Sequence, residues 1–137
     1  MSGDTLKVLF SRIHEAGRKT AIHDFSGEEP RLVSGEILDA QTAAIAAGLR
    51  RQKVKAGATV VLCAPNSLEW ITVCLGALRA GCRVCPLDAQ LSVEKMDGIL
   101  RDADAKMLFL AEETAAKLSG RKSGREEKIF RLDQKKD

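Results

Sequence analysis

Few side chains among the 137 residues stand at spacings that chemistry uses. Cys82 and Cys85 form a CxxC, the spacing of redox dithiols and of zinc ligands. Asp97, Asp102 and Asp104 gather enough carboxylate to suggest magnesium. Asp88 closes an apolar run, at the edge where open α/β sheets bind their ligands. The segment 119–124, SGRKSG, carries the glycines and the lysine of a phosphate-binding loop. His14 and His23 are the two histidines, the residue type for proton transfer near neutral pH and for metal ligation.

Each feature loses force once placed on an element. On a strand, residues three apart face opposite ways, so the thiols of Cys82 and Cys85 diverge. With Cys63 and Cys74 they sit in apolar runs, where free cysteine acts as a small hydrophobe. The three aspartates lie around a helix end and read as a solvated surface. Segment 119–124 does not have the Walker spacing, and no GxxxxGK[ST], GxSxG or HExxH occurs. His14 lies beside an apolar helical stripe and reads as a surface residue. His23 alternates with Ile22 and faces solvent or a neighbouring segment. On these grounds no catalytic, cofactor-binding or metal-ligating residue is assigned to the chain.

The elements themselves are clear. Residues 4–17 read as an amphipathic helix with Leu6, Leu9, Phe10 and Ile13 on one face. Residues 20–25 and 31–33 make a hairpin around a turn at 26–29. A second helix spans about 35–52 with Leu38, Thr42, Ile45 and Leu49 at helical period, capped by Ser34. Arg50, Arg51 and Lys53 gather at its C-terminal end, where the helix dipole favours cations.

The run 58–64 is almost wholly apolar, as in a parallel strand buried on both faces. Asn66 and Glu69 have the spacing of a capping box, opening a helix at about 67–80 that Gly81 ends in the left-handed conformation. Apolar run 82–87 follows, giving a right-handed strand–helix–strand crossover. Beyond it come a helix at 92–103 with Val93, Met96, Leu100 and Ala103 buried, a strand at 106–110 and a short helix at 112–118. A flexible link at 119–126 and a strand at 128–132 complete the pattern. The expected fold is α/β: a partial flavodoxin-like parallel sheet of order 2-1-3-4 with flanking helices, preceded by the N-terminal helix and β-hairpin.

Residues 78–88, LRAGCRVCPLD, resemble the LKAGxxxxPLD core motif of the adenylate-forming, AMP-binding synthetases. Pro65-Asn66-Ser67 with Glu69 resembles the PNSxE that opens the preceding helix in that superfamily. Residues 32–37, LVSGEI, stand where it has LTYAEL, with Val33 at the usual Thr/Ser cap. The Lys55-Ala56-Gly57-Ala58 turn replaces its KPGD without the acid. Order and spacing agree over residues 5–118. The resemblance implies the N-terminal part of a larger AMP-binding domain, most similar to the acyl-CoA synthetases of fatty acid metabolism. Such a parent would use ATP, Mg²⁺ and coenzyme A to turn a carboxylic acid into an acyl-adenylate and then a thioester. The motifs present mark framework, so the chain is expected to be inactive alone.

Composition agrees with that reading. Apolar residues make up 45% and charged residues 30%, ordinary for a globular domain. No run is long enough to span a bilayer, and MSGDTLK shows no basic start before an apolar core, so the expectation is a cytoplasmic protein. The net charge of +3 comes from the segment after residue 118, where acids interrupt the basic run, so no nucleic-acid partner is expected. The expected partner is the missing C-terminal remainder of the enzyme, or a second copy. The alternative function is a non-enzymatic α/β interaction module or one part of a split enzyme. A receiver-like phosphoacceptor is set aside, because Ala64-Pro65 and Ala111 stand where acids would be needed.

Overall fold

The computed structural model describes residues 2–25, 27–121 and 127–132. Helix α1 (Ser2–Ala16) leads into the hairpin β1 (Thr20–Asp24) and β2 (Arg31–Ser34). Helix α2 (Gly35–Arg51) follows, then β3 (Thr59–Cys63), α3 (Leu68–Arg79), β4 (Arg83–Pro86) and α4 (Val93–Asp102). The remaining elements are β5 (Ala105–Leu110), α5 (Glu112–Ser119) and β6 (Lys128–Arg131).

The four later strands form one parallel sheet in the order β4-β3-β5-β6, which is the expected 2-1-3-4. Strand β3 is central because it can be: Val60, Val61, Leu62 and Cys63 are all buried, with both faces covered by helices. Helices α2 and α3 lie on one face, over Val60, Leu62, Met107 and Phe109. Helices α4 and α5 lie on the other, over Val61, Cys63, Leu108 and Leu110. Cys82 joins the first core and Cys85 borders the second, so the CxxC thiols are divided by the sheet as their strand spacing requires.

The approach of α3 to α2 depends on Gly76. A Cβ there would fall 2.4 Å from Cβ of Ile45, so only glycine lets the two backbones come this close. Gly81 takes φ +81° just after α3 and returns the chain to β4. Beside this core, Ile13 of α1, Val33 of β2 and Leu38 of α2 form a smaller cluster with Phe10, Leu68 and Leu75. Leu9, expected on the same stripe of α1, is instead exposed.

Two sequence expectations are corrected here. The N-cap of α3 is Ser67, not Asn66: Ser67 holds the extended backbone of a cap, and its Oγ accepts from N of Trp70 at 3.2 Å. That register puts Glu69 one position too early for a capping box, and its carboxylate turns to Arg31 at 3.5 Å. Asp97 is not part of a solvated cluster. It falls on the buried face of α4 between Met96 and Leu100 and meets Arg101 and Arg121, each at 3.6 Å. Ser34, by contrast, caps α2 as expected, accepting from N of Ile37 at 3.2 Å. Ser119 ends α5 rather than opening a link; residues 122–126 of that link and 133–137 of the basic segment lie outside the described residues.

Candidate functional site

The edge at the C-terminal ends of the parallel strands is where an open α/β sheet offers a ligand crevice. Three connections meet there: 64–67 after β3, 87–92 after β4, and Ala111 after β5. Their backbones continue the ladder, with Leu87 N donating to Leu62 O at 3.0 Å and Ala111 N to Cys63 O at 2.9 Å.

Several polar side chains at this edge are engaged with the loop backbone or with one another. Asp88 accepts from N of Gln90 at 2.9 Å, an Asx turn that shapes its own loop as the family resemblance implies. Lys117 of α5 donates to the carbonyls of Ala89 and Leu91, pinning the same loop to α5. Glu112 meets Arg131 of β6 at 3.0 Å. The Cys63 thiol lies 3.7 Å from Oγ1 of Thr114. Burial pushes the Cys63 thiol up from its ordinary range, which makes it a poor nucleophile.

These residues do not fit a nucleotide's phosphates. The first turn of α5 carries Glu112 and Glu113, and its N-cap Ala111 offers no side-chain hydroxyl. Carboxylates at that helix start repel the anion that the dipole would otherwise attract. Among the described residues, no group of three or more His, Cys, Asp or Glu side chains is placed to hold a metal.

Two charged clusters, legible only in three dimensions, lie elsewhere. His14 Nδ1 stands 3.0 Å from Asp39, and Arg79 donates to the Asp39 carboxylate at 2.7 Å and to Thr42 at 3.2 Å. The Arg79 guanidinium also covers the Phe10 ring at 5.4 Å. The hydrogen bond from His14, then Arg79, holds the Asp39 carboxyl below its usual range. This network ties α1, α2 and α3 together, and Ser11 and Lys7 of α1 line the hollow it faces. The second cluster joins Asp97, Arg121 and Glu127, with the Arg121 side chain 10% exposed and paired to Glu127. It anchors the entry to β6 against α4. Its sequence signal was the position of Asp97 inside an apolar stripe. His23 stacks on Phe25 at 6.1 Å and is exposed.

Compared with protein families, residues 9–136 match the model described as AMP-binding enzyme. The chain belongs to the AMP-binding enzyme family. Its relatives include peptide synthetases and CoA ligases. Nonribosomal peptide synthetase 8 of Aspergillus fumigatus is 30% identical over 118 residues, covering 83% of this chain and 1% of that protein. Syringomycin synthase SyrB1 of Pseudomonas syringae pv. syringae is 32% identical, over 78% of this chain and 17% of its own length. Among solved structures, the fatty acyl-adenylate ligase from L. pneumophila superposes with a TM-score of 0.76 at 23% identity, covering 93% of this chain and 23% of that one. A luciferase-like enzyme from the Zophobas morio mealworm superposes with a TM-score of 0.81 at 19% identity, over 95% and 31% respectively. The chain thus has the fold of the N-terminal part of an adenylate-forming ligase. It spans less than a fifth of the length of these two sequence relatives.

Proposed function

We propose that the chain is the N-terminal scaffold of an ATP-dependent acid-activating ligase. In that enzyme a carboxylate and ATP give an acyl-adenylate and pyrophosphate, and the acyl group then passes to a thiol such as coenzyme A. A fatty or other acyl acid is the proposed substrate class, in a cytoplasmic enzyme of the acyl-CoA synthetase kind. The observation that carries this reading is the β3–α3–β4 crossover. It holds the Pro65-Asn66-Ser67 turn and the Pro86-Leu87-Asp88 turn side by side at the ligand edge, in the family's order. The part played by this chain is positional. Strand β3 and its neighbours give a rigid floor, and Lys117 and Asp88 fix the loop that follows β4. ATP, Mg²⁺ and coenzyme A are proposed to bind residues supplied by the rest of the enzyme.

A second reading, a non-enzymatic α/β interaction module, is favoured by the self-satisfied polar groups at the sheet edge. Acid-dependent exchange of pyrophosphate into ATP separates the two. The chain alone is expected to give none, and the chain extended by the residues encoded after Asp137 is expected to give exchange. That extension should contain a Ser/Thr/Gly-rich loop closing in Pro-Lys-Gly; without loop or exchange, the ligase reading falls.

A further inference from the structure

Helices α4 and α5 close one face of the sheet, but α2 and α3 leave the β5–β6 side of the other face open. Beside α2, a hollow of 290 Å³ runs between Ala44, Ile45 and Gly48 on one wall and Phe130 on the other, with Met107 and Phe109 as floor. It continues past Ile45 and Phe130 into a second hollow of 410 Å³ bordered by Leu68, Val73 and Leu132. Phe130 is 55% exposed here, although its ring leans on Phe109 at 5.7 Å. The wall of α2 from Gln41 to Gln52 is roughly 16 Å long at 1.5 Å per residue, the length of a three-turn helix.

We propose that this trough seats an amphipathic helix of about three turns, carrying carboxylates at one end and supplied by the polypeptide that completes the adenylating domain. The source rests on the function proposed above; the chemistry of the occupant rests on the trough. The end near the α2 C-terminus is basic: Arg51 lines it, Lys128 donates to the carbonyl of Gln52, and no carboxylate is among the described residues that line it. At the other end Arg31 is already paired with Asp24 and Glu69. The complementary ligand is therefore apolar along one face and acidic where it meets Arg51 and Lys128.

Gly48 supports the same reading. A Cβ at Gly48 meets nothing nearer than the Arg51 guanidinium at 3.7 Å, whereas at Gly76 it strikes Ile45. Glycine within a helix costs about 1 kcal/mol relative to alanine, and among the described residues only the Arg51 guanidinium comes near the space at Gly48. Topology also says where the occupant originates. The steps from β4 to β5 and from β5 to β6 cross on the α4/α5 face, so a further right-handed step outward from β6 crosses there too. The trough lies on the opposite face and is filled by an element that is not the next crossover helix.

The test uses fluorescent synthetic peptides of about twelve residues, with a Leu stripe at helical spacing and either Glu or Lys at one end. The purified chain is expected to bind the Glu peptide saturably and the Lys peptide about tenfold more weakly or worse. Gly48→Leu, which fills the trough, should weaken the Glu peptide by about tenfold without lowering the melting temperature. Arg51→Glu should reverse the preference between peptides, and it keeps the test decisive if Gly48→Leu disturbs α2. The chain extended past Asp137 should bind neither, its trough being filled in cis. Equal affinity for both peptides, no binding, undiminished binding by the extended chain, or a dimer that Gly48→Leu abolishes would each overturn the proposal. Peptide binding does not depend on pyrophosphate exchange, so failure of this inference and failure of the ligase reading are separable.

Discussion

Gly76→Ala tests the packing of α3 on α2 directly. Alanine in a helix interior gains about 1 kcal/mol over glycine. Against that gain, the new Cβ would stand 2.4 Å from Cβ and 2.5 Å from Cγ2 of Ile45. Carbon atoms in contact prefer about 3.5–4.0 Å, so the overlap exceeds roughly 1 Å. Neither Cβ can rotate away, since each is fixed to its backbone, and the helices must separate instead. Overpacking of this kind costs about 1–3 kcal/mol, and a clash between two backbone-fixed atoms belongs at or beyond the upper end. The net expectation is a destabilisation of about 2 kcal/mol or more, or at least roughly 6 °C in melting temperature for a domain of this size. Urea unfolding followed by circular dichroism and by Trp70 fluorescence measures it. Ile45→Ala in the same background should recover part of the loss, with a coupling of at least about 1 kcal/mol in the double-mutant cycle. Gly48→Ala is the control in the same assay, expected to stabilise by up to about 1 kcal/mol. A Gly76→Ala protein as stable as its parent would refute the close approach of the two helices.

Three further outcomes follow from the same geometry. Ser67→Ala should destabilise by about 1 kcal/mol in urea while Asn66→Ala changes little; the reverse order would return the α3 cap to Asn66. Because His14 and Arg79 depress the Asp39 carboxyl, its contribution is complete above the ordinary carboxylate range and is lost as pH falls through the lower folded value. Asp39→Asn should therefore flatten the stability profile below about pH 4, and an unchanged acid limb would exclude the network from stability. Mild oxidation of the folded protein should leave Cys82 and Cys85 unjoined, because the sheet lies between them; an intramolecular disulfide found by mass spectrometry would contradict the strand register.

The centre of the sheet was legible because β3 and β5 are buried on both faces, and apolar runs such as 58–64 suit that position. Strand order followed from the flavodoxin-like alternation of strands and helices. The cap of α3 was ambiguous for a local reason: Asn66 and Ser67 are adjacent and both cap well, and only the backbone angles of Ser67 choose between them. Asp97 was misplaced because its partner Arg121 comes 24 residues later, in a segment whose composition reads as a loop. The ties of Asp39 to His14 and Arg79 span 25 and 40 residues, beyond any local pattern. The trough beside Phe130 was invisible for another reason. A strand with its apolar residues half exposed has the same alternating sequence as one that is covered.

The central proposal is that this polypeptide is the framework of an adenylating enzyme whose nucleotide site is supplied by the rest of that enzyme. Calorimetric titration of the purified chain with ATP and Mg²⁺ addresses it most directly. The account predicts no saturable heat at ligand concentrations up to about 100 μM. A stoichiometric isotherm with a dissociation constant in the low micromolar range would contradict it.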